Sequence, residues 1–262
     1  HKSPITTNAW RAPITNFLAY AEQSFLDEVA LEAGKDPVQF RLELLDKAKN
    51  SPTGEIKYDV DRMIGVIKTA ADKSNWGKDP AVKQGFSVYF SHRTYVAQVA
   101  DIVQEGGTPV LKKITAATDC GIVVNPTGAN HQVRGGIVDG MGHAMYGNLT
   151  FKDGLPTQKN FDTYKLIRMK EVPEVDLQYV DSGFDPTGLG EQALAQSCRA
   201  FANDIYAGTG RRLGIKPFNG TVESSELNMV VKREVSYTIL TLPDIFNVTI
   251  LFYAHCIQQT EF

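Results

Sequence analysis

Gly85-Phe-Ser-Val-Tyr-Phe-Ser-His-Arg-Thr-Tyr-Val-Ala-Gln-Val-Ala-Asp-Ile-Val-Gln-Glu105 is the stretch that decides the fold. Residues 85–90 and 94–104 alternate and are rich in Val, Tyr and Phe, which suits strands. Glu105-Gly106-Gly107-Thr108 then turns the chain into a third strand at 110–118, with positive φ available at either glycine.

Upstream of these strands the period changes from two to nearly four. Phe17, Ala21, Phe25 and Val29, widened by Leu18 and Leu26, predict an amphipathic helix over 15–33 that stops at Gly34. Asp36-Pro37 opens a second helix, with Asp36 as cap, Pro37 in the first turn and Gln39 placed to close a capping box. Ile64, Ile67 and Ala71 mark a third, from Val60 to about Lys73.

Downstream, Val133, Ile137 and Met141 predict a helix over 130–146 that also carries Gly135, Gly136, Gly140 and Gly142. Each glycine costs about 1 kcal/mol against Ala in a helix interior. Two readings account for them: close packing on another element, or close approach of backbone to a bulky ligand. Asp153-Gly154 marks a further hairpin, followed by expected strands at 161–168 and 175–182. Thr187-Gly188-Leu189-Gly190-Glu191 leads into a helix carrying Leu194, Cys198, Phe201 and Ile205, which ends at Gly210. Helices mixed with strand runs, without strict βαβ alternation, indicate an α+β fold with mixed sheets and packed helices.

Composition bounds the function. The 262 residues carry a net charge of −3 and 42% apolar residues, with no basic run, so nucleic acid is not an expected partner. Cys120, Cys198 and Cys256 form no C-x-x-C pair, and the five histidines form no H-x-x-x-H pair. The histidines read as isolated structural or surface residues. No apolar stretch reaches the roughly 18–20 residues of a membrane span. The chain opens HKSPITTNAW without Met, which is read as truncation or processing, and its compartment is left open between cytoplasm and periplasm.

The sharpest chemical signal is Thr187–Glu191. Its glycines permit a tight turn with exposed N–H groups, and a helix N-terminus favours an ionised carboxylate. Taken alone, it is a helix capped by a glutamate. It lacks the Lys-Ser/Thr of a P-loop and the strand context of a dinucleotide fold.

Five motifs taken in order are more specific: Trp10-Arg11-Ala12-Pro13, QSFLDEVALEAGKDPVQFRLELL (23–45), TDCGIVVNP (118–126), HQVRGGIVDGMGHAMYG (131–147) and TGLGEQAL (187–194). Across roughly residues 5–218, the chain resembles the C-terminal half of the molybdopterin-binding subunit of the xanthine dehydrogenase and aldehyde oxidase family. The isoquinoline 1-oxidoreductase β-subunit type is the nearest likeness. The resemblance implies part of a molybdenum cofactor-binding domain. It also implies a hydroxylase that oxidises an N-heterocycle or aldehyde with oxygen derived from water. Glu191 matches the family's general base and Arg11 an arginine near the substrate, although an ordinary salt bridge also accounts for Arg11. Gln132, Gly135 and Gly136, with Asn125, Gly188 and Gly190, match segments against the cofactor; a turn-forming Asn-Pro is the plainer reading of Asn125. No protein side chain is expected to ligate the metal.

The implied cofactor is molybdenum on molybdopterin, the cytosine dinucleotide form included. The implied partners are the upstream half of the subunit, which would carry the remaining glycine-rich cofactor loops, and a [2Fe–2S] subunit that takes the electrons. The chain departs from the family in having Gln192 where many relatives have Pro, and Arg134 where many have an acid. By domain, 1–78 reads as a helical segment completing a domain that starts elsewhere, 79–218 as the molybdopterin-binding α+β domain, and 219–262 as an unmatched tail. The alternative to a catalytic component is a cofactor-free structural remnant.

Overall fold

A computed structural model describes residues 8–105, 108–197 and 200. Three helices come first: α1 (Thr15–Glu32), α2 (Pro37–Asn50) and α3 (Val60–Lys73). Strands β1 (Lys83–Ser91), β2 (Thr94–Glu105) and β3 (Thr108–Asp119) follow, then helix α4 (Pro126–Tyr146). The short pair β4 (Phe151–Lys152) and β5 (Leu155–Pro156) and strand β6 (Glu174–Tyr179) complete the elements. The unmatched tail 219–262 and the expected helix face from Cys198 to Ile205 lie outside the described residues.

β1, β2 and β3 form an antiparallel meander, and β6 adds to β3 in parallel to give a four-stranded mixed sheet. Side chains alternate between the two faces of a strand. On β2, Tyr95, Ala97 and Val99 join Phe86, Val88 and Ala117 in a core with Met63, Val66, Ile67 and Ala70 of α3. Val96 and Ala100 point the other way, with Ile114, Ala116 and Val175, onto Val133, Ile137 and Met141 of α4. The sheet is therefore buried on both faces.

Local signals account for the element starts. The Asp36 carboxylate accepts from the Val38 and Gln39 N–H groups, and Asp59 accepts from Arg62 N–H. Asn125 caps α4 by accepting from Gly128 N–H, and with Pro126 in the first turn the helix begins earlier than its apolar period suggests. Gln39 does not close a capping box; its side chain donates to Glu43 instead.

Two expectations are corrected. The buried face of α1 carries Ala19, Gln23, Leu26, Asp27 and Ala30, whereas Phe17 and Phe25 are exposed. The reason is that this interface is partly polar: buried Arg41 donates to the Gln23 side-chain and backbone oxygens and lies 3.8 Å from Asp27. Apolar periodicity cannot register such a face. Residues 161–168 form no strand. Asn160 caps a turn there, its backbone oxygen accepting from Thr163 and Tyr164 N–H and its side chain from Phe161 N–H.

Candidate active site

The site begins with a buried ion pair far from it in sequence. Arg62 of α3 clasps Asp119, at the end of β3, through Nε at 2.9 Å and Nη2 at 2.6 Å. Tyr95 and Phe184 flank the guanidinium, each ring centroid 4.6 Å away. Asp119 also accepts from Gly121 N–H and the Ser182 hydroxyl. Burial alone would raise the Asp119 pKa, but the Arg62, Gly121 and Ser182 hydrogen bonds outweigh it and hold the carboxyl below its usual range.

That anchor joins two loops. Ile122 N–H donates to Phe184 O and Thr187 N–H to Cys120 O. Between them Gly121 has φ of 69°, and a Cβ there would lie 2.3 Å from Asp185 O. Only glycine permits this approach. The 182–187 segment is thereby steered along the end of β3, delivering Thr187–Glu191 beside the sheet.

β1 and β2 then dock residues 187–197. Buried Thr94 donates to Gly188 O and shares a 2.6 Å hydrogen bond with the Thr187 hydroxyl. Gln98 donates to Ala193 O and accepts from Ser197 Oγ, and Ser87 donates to Gln196 O. Residues 192–197 are helical, so the loop ends where a helix begins. Gln192 turns its amide oxygen back onto Glu191 N–H.

On the opposite side, Arg11 donates from Nε to Gly190 O at 2.7 Å and from Nη2 to Gln132 O at 3.2 Å. Its Nη1 lies 3.6 Å from Asp139, which in turn lies 3.7 Å from His143. The salt bridge read as the ordinary account of Arg11 is therefore present, and it ties the Glu191 loop to α4. Glu191 is one-third exposed, and the imidazole of His92 approaches it, with Nε2 3.8 Å from Oε2.

The α4 glycines divide between the two readings. A Cβ on Gly136 would meet Ala193 Cβ at 3.2 Å, and one on Gly140 would meet Leu194 O at 2.5 Å, so both serve close packing of α4 on residues 193–197. Gly135 is different. It is exposed, and a Cβ there would meet only Arg11 Nη1, at 3.8 Å. Gly190 has nothing within 4 Å of the same position. Gln132, Gly135, Gly190 and Glu191 thus gather around Arg11, with open space over two glycines. Gly188 lies on the Thr94 side of the loop. Asn125 stands about 10 Å from Gln132 along the helix axis, its side-chain oxygen committed to the cap.

Sequence reading missed His92, Asp139, Thr94 and Gln98. One signal was available for His92: a His-Arg pair fills a two-residue strand connection where Asn-Gly is usual.

Residues 23–173 match the molybdopterin cofactor-binding domain family, more than half of the chain. The chain belongs to the molybdopterin cofactor-binding domain family. It is 31% identical over 223 residues to a membrane-bound aldehyde dehydrogenase [pyrroloquinoline-quinone] of Gluconacetobacter polyoxogenes, a match covering 79% of this chain and 28% of that protein. It is 27% identical over 205 residues to isoquinoline 1-oxidoreductase subunit beta of Brevundimonas diminuta, covering 76% and 25% respectively. The chain thus spans about a quarter of the length of these curated relatives. In fold it is similar to the aldehyde oxidoreductase of Desulfovibrio gigas, with a TM-score of 0.57 and 14% identity over 80% of this chain and 40% of that one. The α+β class and the molybdopterin-binding family read from the motifs are both established by these matches. A xanthine dehydrogenase molybdenum-binding subunit of Escherichia coli is a further relative, 26% identical over 114 residues, a match covering 41% of this chain and 15% of that protein.

Proposed function

We propose that this chain supplies the general-base wall of a molybdenum hydroxylase active site, with Glu191 as the base. The observation that supports this is the fixed position of the Glu191 loop, held by Arg11 on one side and Thr94 on the other, beside open backbone at Gly135 and Gly190. The residues fit the cofactor: a Cβ would intrude on the space over both glycines, and the exposed Gln132 amide has no hydrogen-bond partner among the described residues. Gln132, Gly135 and Gly190 would hold it by amide and backbone contacts, with Gly136 and Gly188 behind them and the Asn125 amide at the far end of the wall. When bound, the molybdenum cofactor supplies a Lewis-acidic, two-electron centre that activates water.

Glu191 would accept a proton at its carboxylate from water in the site. Arg11, fixed on the Gly190 and Gln132 carbonyls and facing Asp139, orients the loop. The substrate class is an N-heterocycle or an aldehyde, in keeping with the names of the relatives. Electrons would leave through [2Fe–2S] clusters on a partner, and the cytosine dinucleotide is one form of the cofactor that the site would take.

The test is Glu191→Gln in the assembled enzyme, which keeps size and hydrogen bonding and removes basicity. Loss of a general base costs about a hundred- to ten-thousand-fold in rate. The variant is expected to contain molybdenum at the parent level and to be reduced that much more slowly by isoquinoline or acetaldehyde in rapid mixing. Full metallation with reduction near the parent rate overturns the assignment, and leaves the chain as a structural element of the domain.

A further inference from the structure

Glu191 shares its surroundings with a side chain that has no part in taking the first proton. His92 stands at the tip of the β1–β2 connection, between the paired residues Ser91 and Thr94. Both His92, at φ of 49°, and Arg93, at φ of 65°, occupy the left-handed region. This is the backbone of a two-residue turn that matches strand twist, and it is ordinarily filled by Asn-Gly. An imidazole stands where Asn or Gly is usual. Two residues on, Thr94 ties the hairpin to the Thr187 hydroxyl and the Gly188 carbonyl. The hairpin tip and the Glu191 loop are therefore one unit, and the 3.8 Å approach of His92 Nε2 to Glu191 Oε2 is built into it. The imidazole is 53% exposed, and its edge away from the carboxylate is uncovered by the described residues.

We propose that His92 is the proton outlet of the site, acting through Glu191; this rests on Glu191 being the base. After the base has taken a proton, its O–H bond breaks as an N–H bond forms on His92 Nε2. The proton then leaves the imidazolium for water, and no electrons change hands. A separation of 3.8 Å is closed by a small side-chain rotation or bridged by one water. The outlet restores the carboxylate for each following turnover and is not needed for the first.

The variant that tests this is His92→Gly in the assembled enzyme, since glycine suits positive φ and leaves the turn intact. In a single rapid-mixing reduction by isoquinoline or acetaldehyde, it is expected to match the parent. In steady turnover with a dye acceptor and dilute buffer, it is expected to fall about a hundredfold. Added imidazole is expected to restore that loss. His92→Asn, which also tolerates the left-handed backbone, should show the same loss without rescue. A readout independent of activity is the proton NMR spectrum of the 262-residue chain. There the His92 ring signals, identified by their absence in His92→Gly, should move on Glu191→Gln while those of His131 stay. Unchanged steady turnover, a loss that imidazole does not restore, or unmoved ring signals each overturn the proposal. If Glu191→Gln is itself reduced at the parent rate, the base assignment has failed instead.

Discussion

Arg11 Nε donates to the carbonyl oxygen of Gly190 across 2.7 Å, one residue before Glu191. A residue near the N-terminal end of the described chain thus sets the position of a carboxylate 180 residues later. The same guanidinium reaches Gln132 O and faces Asp139, so three groups fix one planar cation.

Arg11→Lys is expected to break that arrangement while keeping the charge. A single ammonium cannot satisfy the Gly190 and Gln132 carbonyls in the geometry of a guanidinium. A shift of about 1 Å in the loop costs on the order of a hundredfold in rate. The check is kcat in the assembled enzyme, with molybdenum content unchanged.

Asp119→Asn is expected to destabilise the fold, because it leaves Arg62 buried without its anion. Removing one partner of a buried pair costs about 3–5 kcal/mol, on the order of 10 °C in melting temperature. The pH dependence is set by the direction of the shift. Asp119 has a depressed pKa in the folded state, so its contribution is present above the unfolded carboxylate value of about 3.9 and is lost as pH falls through the lower folded value. Parent and variant should therefore differ most at neutral pH and converge in acid, as followed by thermal melts across pH.

Gly140→Ala and Gly135→Ala should have opposite signatures. The first puts a methyl 2.5 Å from Leu194 O and 3.0 Å from Ser197 Cβ, so α4 must move off residues 192–197. Overpacking of this kind costs about 1–3 kcal/mol. The second meets nothing closer than 3.8 Å and gains about 1 kcal/mol of helix propensity. It should melt no lower than the parent, yet lose molybdenum, because its methyl occupies the space assigned to the cofactor. Melting temperature and elemental analysis separate the two.

Expressed by itself in a host that makes the cofactor, the chain is expected to retain no stoichiometric molybdenum. Among the described residues the site is an open face rather than an enclosed pocket: Gln132, Gly135 and Gly190 are exposed. A cofactor held on one side only exchanges with solvent. Elemental analysis of the purified chain is the check.

The sequence by itself determined what depends on neighbours a few residues apart. Asp36, Asp59 and Asn125 cap helices within three positions, Asp153-Gly154 turns a hairpin, and the alternation from Tyr95 to Ala100 marks a strand, whose burial on both faces only the packing of α3 and α4 shows. The order of motifs gave the molybdopterin-binding family, which residues 23–173 match, and a helix following Glu191, which residues 192–197 form. Only the tertiary structure decided which face of α1 is buried, because Arg41 of α2 bonds Gln23 and faces Asp27, a polar contact between two helices that carries no apolar period. It alone separated the packing glycines, Gly136 and Gly140, from the open one, Gly135, since the distinction is set by how close another segment comes. It alone brought His92 to Glu191, 99 positions apart, because that distance depends on how the Thr94 hydroxyl holds one loop against another. Such contacts are fixed by the summed register of the whole sheet, which no local pattern encodes.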